Sequence, residues 1–137
     1  TDPDLRHQFE RARAGLVPRL DVLGNVAMLA AYRDGEPWME QAMAYMQANR
    51  DHLYNYVNHK LPGISMAKPE GTYLAWLDCR GAELPGNPHK FFLEEAGVAL
   101  NDGAAFGKGG EGFVRLNFAC PRATLEHALG QMREALG

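Results

Sequence analysis

The stretch Gly103–Pro121, GAAFGKGGEGFVRLNFACP, decides how the rest of the chain is read. It reads as a glycine-rich loop feeding one strand over Gly112–Ala119. Side chains alternate across a strand, so Val114, Leu116 and Phe118 share one face and suit a core. Phe113, Arg115, Asn117 and Ala119 take the other face. An arginine inside a β-prone run needs a partner for its charge wherever water is excluded. Its planar guanidinium binds a carboxylate through two parallel hydrogen bonds. Arg115 is therefore a candidate anchor for a carboxylate ligand. The alternative is an arginine on the wet side of a half-exposed antiparallel sheet. The run Gly107–Gly112, GKGGEG, is not a phosphate loop, because a strand follows where such a loop needs a helix N-terminus. It reads as a flexible hairpin-like loop that exploits the wide backbone freedom of glycine.

Outward from this stretch the chain alternates helix and strand signals. Asp2-Pro3 pairs an N-cap with proline at the first helical position, and Leu5, Phe9 and Ala12 recur on one face before Gly15 stops the run. Pro18 lies in a short connection to a second helix over roughly Gly24–Arg33, closed by Asp34-Gly35. Glu36-Pro37 starts the longest element, reaching about Lys60. Met39, Ala42, Met43, Met46, Leu53 and Val57 give it an amphipathic spacing, and Pro62 stops it. At ~1.5 Å per residue it spans on the order of 36 Å, a strut reaching beyond its own core. A short strand at Ile64–Ala67, a type I turn at Lys68–Gly71 and a central strand at Thr72–Asp78 follow. Asn87-Pro88 opens a short helix ending at Gly97, Val98–Leu100 is a strand, and Pro121 opens a final helix striped by Leu125, Leu129 and Met132. The order is an α+β layout: a small, mostly antiparallel sheet covered by helices on one face. The Arg115 face is then open to a ligand or another domain.

Composition narrows the function classes. The chain has 137 residues, 46% hydrophobic and 23% charged, enough for one soluble domain with a core. A net charge of −3 gives no electrostatic reason to expect nucleic acid or an anionic membrane. No apolar run approaches the ~20 residues of a membrane span. Cys79 and Cys120 have no metal or redox spacing and read as free thiols of a reducing cytoplasm. His52 and His59 lie two turns apart with no third ligand, so no metal is expected. No Ser/His/Asp or Cys/His arrangement stands out. The chain opens on Thr1 without methionine and reads as a fragment or processed product.

Taken together, the pieces PEG-TYLAWLDCRG, FFLEEAGVALNDGAAFG and GFVRLNFACP resemble the C-terminal part of pyridoxal-phosphate-dependent fold-type I enzymes. Within them the likeness is to class I/II aminotransferases of the MalY/PatB type, the cystathionine β-lyase or C–S lyase branch. GNVAMLAAYRDGEPWMEQAMAYMQANRD resembles the segment ahead of that branch's long helix. The resemblance implies that Arg115 binds the α-carboxylate of an amino-acid substrate, that Asn117 and Phe113 flank it, and that Tyr73 lines the site entrance. Asp21–Gly24 matches a segment near the partner subunit's site, but Asp21 and Leu23 replace its usual asparagine and aromatic. The resemblance also implies pyridoxal 5'-phosphate held as a Schiff base on a lysine in a Ser-x-x-Lys segment. Lys60, Lys68, Lys90 and Lys108 do not match that segment. The expected organisation is residues 1–35 joining an N-terminal large cofactor-binding domain, 36–61 a long connecting helix, and 62–137 the α+β small domain. The whole enzyme is then a homodimer, and this chain has no catalytic residue of its own and is inactive alone. The competing expectation is a stand-alone carboxylate- or protein-binding module without catalytic activity.

Overall fold

Short polar side chains set where the helices begin. The Asp2 carboxylate accepts from the Asp4 and Leu5 amides and starts α1, Pro3–Arg13. The Asp21 carboxylate accepts from Gly24 N–H and starts α2, Val22–Asp34. Asn87 does the same for the Lys90 amide at α4, Pro88–Glu95. Each cap satisfies a donor that the first helical turn leaves unpaired, a gain of about 1 kcal/mol. A computed structural model describes residues 2–15 and 21–137. The position read above as a connection, Pro18, lies outside the described residues.

The chain forms two compact units, Thr1–Gln41 and Ala42–Gly137. In the first, no residue of α1 or α2 is buried. Leu5, Phe9, Leu23, Val26, Leu29, Tyr32, Trp38 and Met39 all stand exposed there. The second unit carries the core. It begins within α3, Glu36–Lys60, whose buried residues are Asn49, Leu53 and Val57. The methionine end of the helical stripe, Met39 and Met43, is uncovered.

Beyond α3 come β1 (Ser65–Met66), β2 (Leu74–Asp78), α4, β3 (Asn101–Asp102), a 3-10 helix (Gly103–Phe106), β4 (Phe113–Asn117) and α5 (Arg122–Leu136). The four strands lie in the order β1-β2-β4-β3, every neighbouring pair antiparallel. The expected α+β layout is the observed one. Ala75 and Leu77 of β2 and Val114 and Leu116 of β4 are buried against Leu53, Phe92, Leu129 and Met132 of the helices. Each such side chain removes apolar surface from water, about 1.5–3 kcal/mol when fully buried. Alternation sends Trp76, Phe113, Arg115 and Asn117 to the opposite face.

Two local expectations are corrected, and a third region is seen in detail. The strand expected at Val98–Leu100 starts later, at Asn101. Val98 N–H donates to the Phe92 carbonyl and seals the end of α4, while Val98 and Leu100 are buried in the core. At Lys68–Gly71 the chain bends over residues 70–73, and the left-handed residue is Thr72 with φ 62°. A β-branched residue is strained there, by roughly 1–3 kcal/mol. The glycine-rich loop is folded on itself. A Cβ on Gly103 would strike the carbonyl oxygens of Gly110 and Phe113, and one on Gly110 would strike that of Gly103.

One polar residue is fully buried on the core side of α3. Asn49 donates from Nδ2 to the Phe118 carbonyl (3.0 Å) and the Cys120 carbonyl (2.8 Å), and its Oδ1 accepts from Arg122 Nε at 2.9 Å. It ties α3 to the link between β4 and α5. Asn49→Ala is predicted to destabilise the fold by about 2–4 kcal/mol, because the buried carbonyls lose their donor without gaining water. Denaturant unfolding measures it. A loss under half a kilocalorie, on the order of a surface substitution, would show that the network is dispensable.

Candidate functional site

The open face of the sheet carries a row of cations and rings. Register sets Trp76 of β2 beside Arg115 of β4, and Asn101 of β3 on its other side. The Phe113 ring stacks on Trp76 at 5.6 Å, and Phe106 meets the same indole edge-on, also at 5.6 Å. The Arg115 guanidinium lies 4.6 Å from the centre of the Phe106 ring, and that of Arg80 lies 4.6 Å from Phe113. Cations over ring faces are attracted by the ring quadrupole, on the order of 0.5–1 kcal/mol when exposed.

The two arginines differ in charge balance. Arg80 is neutralised by Asp78, with Nη2 to Oδ2 at 2.6 Å and Nε to Oδ1 at 2.9 Å. That hydrogen bond holds the Asp78 carboxyl below the usual carboxylate range and raises Arg80. Arg115 has no acidic partner among the described residues. Its Nε (3.3 Å) and Nη2 (3.0 Å) both donate to the neutral Oδ1 of Asn101. Of its five donors, the Nη1 pair and the second Nη2 hydrogen remain, which is the edge that grips a carboxylate end-on.

The other expected site residues fall differently. Asn117 shares the Arg115 face, but its Oδ1 accepts from the Ala119 amide at 2.9 Å, which shapes the end of the strand. Tyr73 is not brought to Arg115. Its carbonyl accepts from Phe118 N–H at 3.0 Å, and the residue lines a cleft with Met43, Gln47, Arg50 and the strained Thr72. Asn101 and Phe106, which hold Arg115, were missed in the sequence. Asn101 and Arg115 are 14 positions apart, with the 3-10 helix and the glycine-rich loop between them, so no local pattern displays their pairing.

The four lysines weighed in the sequence are placed as follows. Lys60 ends α3, Lys90 is in the first turn of α4, and Lys68 is paired with Asp51 at 2.9 Å. Lys108 lies in the exposed loop after the 3-10 helix. Among the described residues no three His, Cys, Asp or Glu are grouped to hold a metal ion, and no helix is long and apolar enough to cross a membrane. Both cysteines are free. Burial, and then Asp78, push the Cys79 thiol up to about 12, and burial raises Cys120 less deeply in the fold. A thiol reagent at mildly alkaline pH is thus predicted to label Cys120 first and Cys79 only on unfolding, since the thiolate is the reactive form. Equal labelling rates in the folded protein would contradict the buried placement of Cys79.

Comparison with known proteins then fixes the lineage. Residues 5–132 match the family model "Aminotransferase class I and II". The chain belongs to that family. Cystathionine beta-lyase PatB of Bacillus subtilis is 35% identical over 118 residues, covering 85% of this chain and 30% of the relative. The crystal structure of OvoB superposes with a TM-score of 0.87 at 46% identity, covering 98% of this chain and 34% of that one. The PLP-bound C-S lyase from Staphylococcus hominis gives a TM-score of 0.87 at 29% identity, covering 98% and 36%. The chain thus spans about a third of the length of the relatives it matches. The resemblance read from the sequence, to the C–S lyase branch of this family, agrees with these matches.

Proposed function

We propose that this chain is the C-terminal small domain, with its connecting helices, of a pyridoxal-phosphate-dependent C–S lyase or aminotransferase acting on amino acids. In it, Arg115 binds the substrate's α-carboxylate. The observation that carries this reading is the uncompensated guanidinium: its side edge donates to the neutral Asn101, it lies over the Phe106 ring, and its end-on edge has no partner among the described residues. Residues 1–35 join the large domain, 36–61 connect, and 62–137 form the small domain. The cofactor belongs to the large domain, and the whole enzyme is a cytoplasmic homodimer.

When bound, the cofactor supplies an electron sink for a bond broken at the substrate's α-carbon. The residues of this chain act on position. Arg115 takes the carboxylate in two parallel hydrogen bonds, which fixes the direction of the remaining α-carbon bonds. Asn117, one pleat along the same face, borders the site. Tyr73 stands at the strained bend that leads into β2 and lines its entrance. The Phe106 ring lies under the guanidinium and helps hold it in place.

The chain alone is predicted to be inactive and to show no cofactor absorbance that depends on one of its lysines. Absorbance of that kind, lost on replacing a single lysine, would overturn the division of labour proposed for the two domains. Calorimetry on the chain alone separates the remaining alternative. Amino-acid binding without cofactor would make it a stand-alone carboxylate-binding module, whereas negligible binding fits an enzyme domain.

A further inference from the structure

We infer that Asn101 is a positioning residue for the carboxylate site, and that its being neutral is what leaves the site able to bind. This rests on the reading of Arg115 as the carboxylate anchor. Asn101 Oδ1 accepts from both Nε and Nη2 of Arg115, which pins the side edge of the guanidinium. Its central carbon also lies over the Phe106 ring, 4.6 Å from the ring centre. With the side edge held and the ring beside it, the end-on edge points in a set direction before any ligand arrives. A long side chain ordered in advance loses less entropy on binding.

The chain holds both supports firmly. Asn101 is the register partner of Arg115 across the β3–β4 ladder. Phe106 ends a 3-10 helix capped by Asp102, whose Oδ1 accepts from Ala104 N–H at 3.1 Å and whose Oδ2 accepts from Asn87 Nδ2 at 3.0 Å. The backbone contact of Gly103 with Gly110 and Phe113 sets where that helix sits. Arg80 on the same face shows the other way to hold an arginine: Asp78 grips it with a carboxylate and cancels its charge. At Arg115 an amide replaces the carboxylate. It supplies the same acceptor geometry and leaves the positive charge for the ligand.

The test compares two substitutions in the full-length holoenzyme, Asn101→Asp and Asn101→Ala. Asn101→Asp keeps the shape and adds an internal carboxylate that competes for the guanidinium. Its KM for the amino-acid substrate should rise about 30- to 100-fold, the scale of a lost charge-assisted pair, with kcat within about threefold. Asn101→Ala removes only the orientation, and its KM should rise about 3- to 10-fold, the scale of ordering one long side chain at the moment of binding. Inhibition constants for propionate, a carboxylate with no amino group to react, should follow the same order. The thermal midpoint should move the opposite way, with Asn101→Asp at or above the parent because a new ion pair closes the hairpin. A residue that is merely structural would tolerate aspartate and suffer from alanine. Alanine as harmful as aspartate, or more, in KM and propionate binding would overturn the inference. Arg115→Ala separates the two levels: if it leaves KM unchanged, the carboxylate reading itself fails, whatever Asn101 does.

Discussion

On the proposed function, replacing Arg115 by alanine in the full-length protein is expected to lower kcat/KM for an amino-acid substrate by about 30- to 5,000-fold. Removing one partner of a desolvated, hydrogen-bonded charge pair costs about 2–5 kcal/mol, and each 1.36 kcal/mol is a factor of ten. The loss should fall on both binding and turnover, because an unanchored carboxylate lets the α-carbon bonds drift from the reacting geometry. Arg115→Lys should recover only part of it. An ammonium keeps the charge but cannot form two parallel bonds, and it would lack the planar group that lies over Phe106. Arg80→Ala is the internal control. That arginine shares the sheet face but is already neutralised by Asp78, so kcat/KM should stay within about threefold, the reach of a screened surface pair. Steady-state kinetics on the three variants decides the matter. An Arg80 variant as impaired as the Arg115 variant would mean that the face acts through bulk positive charge.

How much of this was legible in the sequence depends on the range of the interaction. The long helix was read from Glu36 to about Lys60 and is found at Glu36–Lys60, because prolines at 37 and 62 and a helical apolar period are local signals. The two faces of β4 were legible for the same reason: period two leaves Val114 and Leu116 no choice once one face is buried. Long-range partners left no local trace. Asn49 has no local mark that sets it apart from the helix's other polar residues, because its acceptors lie 69 and 71 residues away. Asn101 was read as following a strand, since Val98–Leu100 is the more β-prone run. The core claimed those residues instead, and the ladder formed one step later, opposite Arg115. Tyr73 was read as lining the site entrance, and it stands beside the left-handed bend at Thr72 in a cleft with Met43, Gln47 and Arg50.

The sharpest stability contrast lies between Trp76 of β2 and Phe118, the residue that follows β4. Phe118 is 1% exposed and Trp76 is 39% exposed, although tryptophan is the larger side chain. Phe118→Ala should cost about 3–5 kcal/mol, the transfer of a buried ring plus the cavity it leaves. Its neighbours cannot close in freely, since its own N–H is tied to Tyr73 and its carbonyl to Asn49. Trp76→Ala should cost about 1–2 kcal/mol, from its stacking with Phe113 and Phe106 and the part of its area already covered. Urea unfolding of the protein measures both, with the slope checked so that the midpoints are comparable. The order of the two numbers bears on function. A face that loses little when its largest ring is removed is not part of the core, and it is free to meet a ligand or the large domain. If Trp76→Ala were as damaging as Phe118→Ala, the Arg115 face would be packed for stability. Its guanidinium would then be held for the fold's sake, and the carboxylate site would have to be sought elsewhere.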